Sequence, residues 1–199
     1  MTKTVEFYFD VGSPAAYLAW TQLPGLSSAA GGQIDYRPML LGGVFQATGN
    51  HSPTTVPAKG RYMMDDLGRY AARYGVPFVS NPHFPINTLL LMRGAVGLQM
   101  REPDRFVPYV NALYRAIWAD AKNMNDPEVV GQVLQAAGFN PVHLMALAGD
   151  QAVKDRLKAV TGEAVARGVF GAPTFFIDGQ MHWGQDRLDF VQQALGAKA

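Results

Sequence analysis

The stretch FYFDVGSPAAYLAW, residues 7–20, changes its period half-way along. Residues 4–9 (TVEFYF) alternate Val5, Phe7 and Phe9 with Thr4, Glu6 and Tyr8, the period of two that marks a strand. Downstream, Tyr17, Leu18 and Trp20 belong to a helix that Pro24-Gly25 is expected to break. Between the two, Ser13-Pro14 has the composition of a helix start, with a hydroxyl N-cap followed by proline in the first helical position. The same place has a second property. A helix N-terminus carries partial positive charge and unpaired N–H donors, which favour an anion and lower the pKa of a thiol.

Working outward, Ile34, Tyr36 and Met39–Leu41 read as a second strand, with Pro38 hinting at an edge or a bulge. Strand, helix and strand in such short order predict a right-handed crossover joining parallel strands. Residues 42–56, rich in Gly, Thr, Ser and Pro, read as a loop. From Pro57 to about Arg167 the spacing is helical, as in Phe106, Val110, Leu113, Tyr114 and Ile117. Asn125-Asp126-Pro127-Glu128 has the form of a capped start. Residues 88–98 are apolar nearly all round, which predicts a buried helix, and residues 76–87, with three prolines, read as a loop. After Gly171 the period returns to two. Thr174–Asp178 and Met181–Trp183 flank Gly179-Gln180 as a hairpin, and a last helix follows from Gly184-Gln185-Asp186-Arg187. The expected fold class is therefore α/β: a βαβ unit, an all-helical block, then ββα. Its ends join into a four-stranded mixed sheet with helices on both faces. Residues 1–56 and 168–199 form the sheet domain in this reading, and 57–167 a helical insertion.

The 199 residues, 48% of them hydrophobic, suffice for a sizeable core. Seventeen basic against sixteen acidic residues give a net charge of +1 with no basic cluster, which argues against a nucleic-acid partner. The most apolar run, Thr88–Met92, is cut by Arg93, so no membrane span is expected. The chain enters its first strand pattern without a charged-then-apolar leader, and a cytoplasmic location is the expectation. There is no cysteine, which excludes disulfides, thiolate metal sites and a protein thiol nucleophile. The four histidines are too far apart for a local metal motif, so no metal is expected.

Few other residues carry chemistry in their pattern. Proline in Ala172-Pro173-Thr174 suits the start of an edge strand; in the cis form it would turn the main chain of Ala172 toward a peptide-like ligand. Gln185 and Asp186 stand at the start of the last helix. There a carboxylate is favoured by the helix dipole, and the pair suits an amino-acid head group. Asn50 fits a turn and Lys59 a solvated surface, while Arg61, Asp65, Asp66 and Arg69 resemble a salt-bridged outer face.

Taken together the ends and the insertion resemble a thioredoxin fold of the DsbA type. In that family a Cys-x-x-Cys pair begins the first helix; Ser13-Pro14-Ala15-Ala16 occupies that place here, so dithiol chemistry is lost. FYFDVGSPAAYLA, GNHSPTTVPAKGRYMMDDL, GVFGAPTFFIDG and WGQDRL more narrowly resemble 2-hydroxychromene-2-carboxylate isomerases and kappa-class glutathione transferases, in order along essentially the whole chain. The resemblance implies a glutathione cofactor whose sulfur is held as a thiolate by Ser13. It implies that Ala172, before a cis Pro173, pairs with the cysteinyl unit. Gln185 and Asp186 would take the γ-glutamyl end, with Asn50 and Lys59 completing the tripeptide site. The implied reaction is reversible addition of the thiolate to a small aromatic carboxylate, with rotation about a former double bond and release of the thiol. His51, Arg61 and Asn87 are candidates for the substrate carboxylate, and Phe84 and Trp118 for its ring. A homodimer is implied too. The alternatives are a kappa-like transferase that keeps the thioether, and a non-catalytic thioredoxin-fold binding module.

Overall fold

The computed structural model describes residues 2–196. Strand β1 (Thr4–Phe9) leads into helix α1 (Pro14–Ala29), and β2 (Gln33–Pro38) returns parallel to β1, pairing Phe7 with Tyr36. Near the other end, β3 (Thr174–Ile177) and β4 (Gln180–Trp183) form the expected hairpin. Strand β3 lies antiparallel to β1, with Phe7 opposite Phe175, and the sheet order is β2-β1-β3-β4. The end of β1 and the beginning of β3 therefore meet at one end of the sheet, in its middle.

The alternation in residues 4–9 places its two sets of side chains in different cores. Val5, Phe7 and Phe9 join Phe175, Ile177, Leu18 and Leu23 under α1 and the last helix, α9 (Leu188–Leu195). Tyr8 and Phe176 face the opposite way, onto Met39, Val44, Val160 and Ala164. Between the two sheet halves run α2 (Leu41–Thr48), α3 (Pro57–Tyr74), α4 (Leu89–Arg101), α5 (Pro103–Trp118), α6 (Pro127–Ala136), α7 (Pro141–Gly149) and α8 (Gln151–Ala166). Asp126 caps α6 as its sequence suggests, accepting from the Glu128 N–H at 2.9 Å. The helices do not form a core of their own. Phe106, Tyr114 and Trp118 of α5 belong to the same cluster as Phe7 and Phe9, while α8 covers the Tyr8 face.

Three local expectations are corrected. Residues 42–56 are not a loop throughout, because Leu41–Thr48 is helical and Pro53–Thr55 forms a 3₁₀ turn. Its glycines argue against a helix, but burial of Val44 and a left-handed Gly49 at the C-terminus stabilise one. Helix α1 does not stop at Pro24-Gly25; it continues to Ala29, since buried Leu23 and partly buried Leu26 anchor it on the core. Met39–Leu41 does not extend β2: Met39 makes one further bond to the Phe9 carbonyl (3.0 Å), and Leu41 opens α2.

On the Tyr8 face, Arg167 grips Glu6 through both guanidinium ends (2.6 and 2.9 Å) while its Cζ lies 3.8 Å from the Phe176 ring centroid. This pairing ties the end of α8 to β1, and the Arg167 hydrogen bond holds the Glu6 carboxyl below the usual carboxylate range. A lowered folded-state pKa stabilises the fold above that range and is lost as pH falls through the lowered value. Glu6→Gln should therefore lower the melting temperature at neutral pH and leave it close to wild type at a pH where Glu6 is already protonated. Thermal melts of both proteins across acid pH check this; parallel curves at every pH would contradict it.

Candidate functional site

Ser13 is the N-cap of α1. Its Oγ accepts from the Ala16 N–H at 3.1 Å and donates to the Ala172 carbonyl at 3.0 Å, so the helix start and the approach to β3 share one hydroxyl. The Ala172–Pro173 peptide is cis. The turn that carries Ser13 is fixed on several sides. The Trp118 indole N–H donates to the Val11 carbonyl (2.9 Å), and the Ser13 N–H to the Asp10 carbonyl (3.0 Å). The Gly12 N–H donates to Asp10 Oδ1 (2.9 Å).

The segment beyond the cis proline is held as closely. The Gly184 N–H donates to the Pro173 carbonyl (3.0 Å), and Gly184 has a φ of 101°, which a side chain rarely tolerates. Gln185 follows in a 3₁₀ turn (Gln185–Arg187) that precedes α9. Gln185 is buried, and among the described residues its side-chain amide has no hydrogen-bond partner. Asp186 is exposed and pairs with Arg187 at 2.6 Å.

These groups surround a cavity of about 1020 Å³, at the upper end of the range for small-molecule sites. Its lining combines Ser13, Asn50, Ala172, Gln185 and Asp186 with the apolar side chains of Leu41, Phe45, Met63, Leu67, Phe84 and Ile86. The titratable side chains on its wall are Asp10, Asp66, Asp186, Tyr62 and His51, and among the described residues no lysine or arginine lines it. Among the described residues no three His, Cys, Asp or Glu side chains stand where they can hold a metal, and no helix is long and apolar enough to cross a membrane.

Of the seven residues expected from sequence to hold glutathione, the cavity brings together five: Ser13, Asn50, Ala172, Gln185 and Asp186. Pro173 is buried behind the wall, and Lys59 stands exposed on the first turn of α3, outside it. Asn50 is engaged within the protein: its Nδ2 donates to the Phe170 carbonyl and its Oδ1 accepts from the His51 N–H, both at 2.8 Å. It thus struts the loop after α2 against the segment before the cis proline. Among the carboxylate candidates His51 lines the cavity, whereas Arg61 and Asn87 do not. Phe84 lines it as well, but Trp118 does not: it is fully buried behind Phe84, ring centroids 5.7 Å apart, and its role is to hold Val11. Sequence reading passed over Asp10, a buried carboxylate in the cavity wall. A lone acid inside an apolar run is the signal for it, because a buried carboxylate must be hydrogen-bonded.

Residues 4–196 match the family model described as a DSBA-like thioredoxin domain. The chain belongs to this family. It is 36% identical to a 2-hydroxychromene-2-carboxylate isomerase of Sphingobium xenophagum, over 98% of this chain and 99% of that one. A kappa 1 glutathione S-transferase of Rattus norvegicus is 27% identical over 98% of this chain and 92% of its own. Among solved structures, a 2-hydroxychromene-2-carboxylate isomerase superposes with a TM-score of 0.84 at 30% identity, covering 97% of this chain and 94% of the other. Family members are thus similar over nearly the whole chain, insertion included.

Asn50→Ala removes both strut bonds and should lower stability by about 1–2 kcal/mol, at the usual worth of two such bonds. Urea unfolding of the two proteins measures it. No loss would show that neither bond supports the fold.

Proposed function

We propose that the protein is a glutathione-dependent isomerase that interconverts 2-hydroxychromene-2-carboxylate and trans-o-hydroxybenzylidenepyruvate. The observation that carries this reading is the Ser13 hydroxyl at the α1 N-terminus, bonded to the residue before a cis proline and facing a large cavity in a cysteine-free chain. The site is built for a thiol that the chain does not contain. Likeness to the named isomerases, at 36% and 30% identity, supports the choice of reaction.

The residues present fit glutathione. When bound, it supplies a thiolate nucleophile that is returned at the end of the turnover. Ser13 is placed to give its hydroxyl proton to the sulfur, at a helix end that already favours negative charge. That hydrogen bond must come from Ala172, whose carbonyl is thereby released to accept the cysteinyl N–H of the ligand. One bond is exchanged for two, and no buried group is orphaned. The unpartnered Gln185 amide and the Asp186 carboxylate take the γ-glutamyl end, Asp186 exchanging Arg187 for the ammonium. Asn50 holds the wall beside the remaining end of the tripeptide, and Lys59 reaches that end only by folding its long side chain inward from the α3 surface. The apolar lining, with Phe84 and Ile86, takes the aromatic ring, and His51 is the basic side chain on the wall for its carboxylate. A cytoplasmic homodimer is part of the same reading, since a reducing compartment keeps glutathione as the thiol.

The kappa-like transferase uses the same site and differs in its product. Mixing the protein with 2-hydroxychromene-2-carboxylate and catalytic glutathione, and following the ultraviolet spectrum, separates the two. Turnover that requires glutathione without consuming it is expected. Consumption of the thiol would make the protein a transferase, and no reaction with or without the thiol would leave a binding module. Ser13→Ala should lower kcat by about 10²–10³-fold, the effect of losing one donor to a developing anion.

A further inference from the structure

The most deeply buried polar group of the cavity wall is a carboxylate to which the mechanism above gives no task. Asp10 follows β1 directly and is 1% exposed. Its Oδ1 accepts from the Gly12 N–H at 2.9 Å; its Oδ2 accepts from the Leu41 N–H at 2.8 Å and from the Thr88 hydroxyl at 3.0 Å. The three donors belong to three separate segments, and each segment is a wall of the cavity. Gly12 is in the turn that ends at Ser13. Leu41 opens α2, which contributes Leu41 and Phe45 to the apolar lining. Thr88 closes the stretch that contributes Phe84, Pro85 and Ile86. One oxygen thus serves the thiol side of the site and the other serves both walls of the acceptor side.

The junction is tightly built. A Cβ on Gly12 would stand 3.0 Å from Thr88 Cγ2 and 3.4 Å from Asp10 Oδ1, so the turn, the carboxylate and the threonine are packed as one unit. Burial holds the Asp10 carboxyl above the usual range despite its three donors, an expense that a surface cap would avoid. Tyr114 of α5, with a buried hydroxyl lacking a partner among the described residues, is the titratable group whose phenol feels Asp10. Residues 41–48 and 84–88 carry no titratable side chain, and Asp66, Asp186, Tyr62 and His51 stand elsewhere on the cavity wall.

We propose that Asp10 is a positioning residue of the reaction: it aims the Ser13 hydroxyl at the sulfur through one oxygen and keeps the acceptor walls in register with it through the other. This rests on the glutathione reading given above. Asp10 does not touch the reacting atoms and acts through Ser13, Leu41 and Thr88.

Two variants of the full chain test it. Asp10→Asn keeps the shape but sets an amide N–H against one of the backbone donors, and Thr88→Val removes one bond at Oδ2 while leaving the Gly12 bond in place. The readouts are the pH titration of bound glutathione, followed by thiolate absorbance, and kcat and KM for the acceptor. With Ser13 misaligned, the pKa of the bound thiol in Asp10→Asn should rise toward that of free glutathione, and kcat should fall by about 10–100-fold, as expected for a misplaced catalytic geometry. Thr88→Val should raise the acceptor KM several-fold and leave the thiol titration unchanged. Loss of a buried negative charge alone lowers the thiol pKa, so an unchanged or lowered value in a folded Asp10→Asn overturns the proposal. If Asp10→Asn does not fold, an unchanged KM in Thr88→Val overturns it. A wild-type protein that shows no bound thiolate removes the glutathione reading and this proposal together; a wild-type thiolate with unaltered variants removes this proposal alone.

Discussion

A serine hydroxyl has one proton to donate, and in this fold Ser13 donates it to a carbonyl 159 positions further along the chain. That bond is possible because β1 and β3 are antiparallel neighbours: Ser13 lies just beyond the end of one, Ala172 just before the start of the other. The sheet order brings them together, and the cis Ala172–Pro173 peptide presents the carbonyl to the helix end. The site is thus a contact between the two separated halves of the sheet. The chemistry proposed for it follows from the same constraint, since a stronger acceptor than a carbonyl, such as a thiolate, competes for the one proton.

The helical block serves this contact more than its place in the sequence suggests. Trp118 from α5 holds the Val11 carbonyl, Thr88 before α4 meets Asp10, and Phe84 and Ile86 supply an apolar wall. Because Phe106 and Tyr114 share the core with Phe9, the block and the sheet are packed as one cluster. A displacement in α5 would therefore be felt at the Ser13 turn, through dense packing and one indole hydrogen bond.

Much of this was legible in the sequence, for identifiable physical reasons. Strand β1, the Ser13-Pro14 start and the final hairpin rest on local periodicity and turn chemistry, which a short window contains. Helix α2 was hidden because its support is remote: Leu41 N–H is met by Asp10, and Val44 by residues of α8. The helix through Pro24 was hidden because core anchors on either side outweigh one missing donor. At the site, Ser13, Ala172 and Gln185 were readable as short motifs near the ends of the chain. Lys59, in the same motif block as Asn50, lies on the exposed side of α3, and linear proximity could not show that. Asp10 has no local motif to mark it, because its three donors come from three separate segments.

The central claim is that the Ser13 proton changes partner when a thiol arrives. A crystal structure of the protein with glutathione tests this most directly. The account predicts the sulfur within hydrogen-bonding distance of Ser13 Oγ, with the Ala172 carbonyl now accepting from the cysteinyl N–H. A complex in which Ser13 still donates to Ala172 and the sulfur lies elsewhere in the cavity would contradict it.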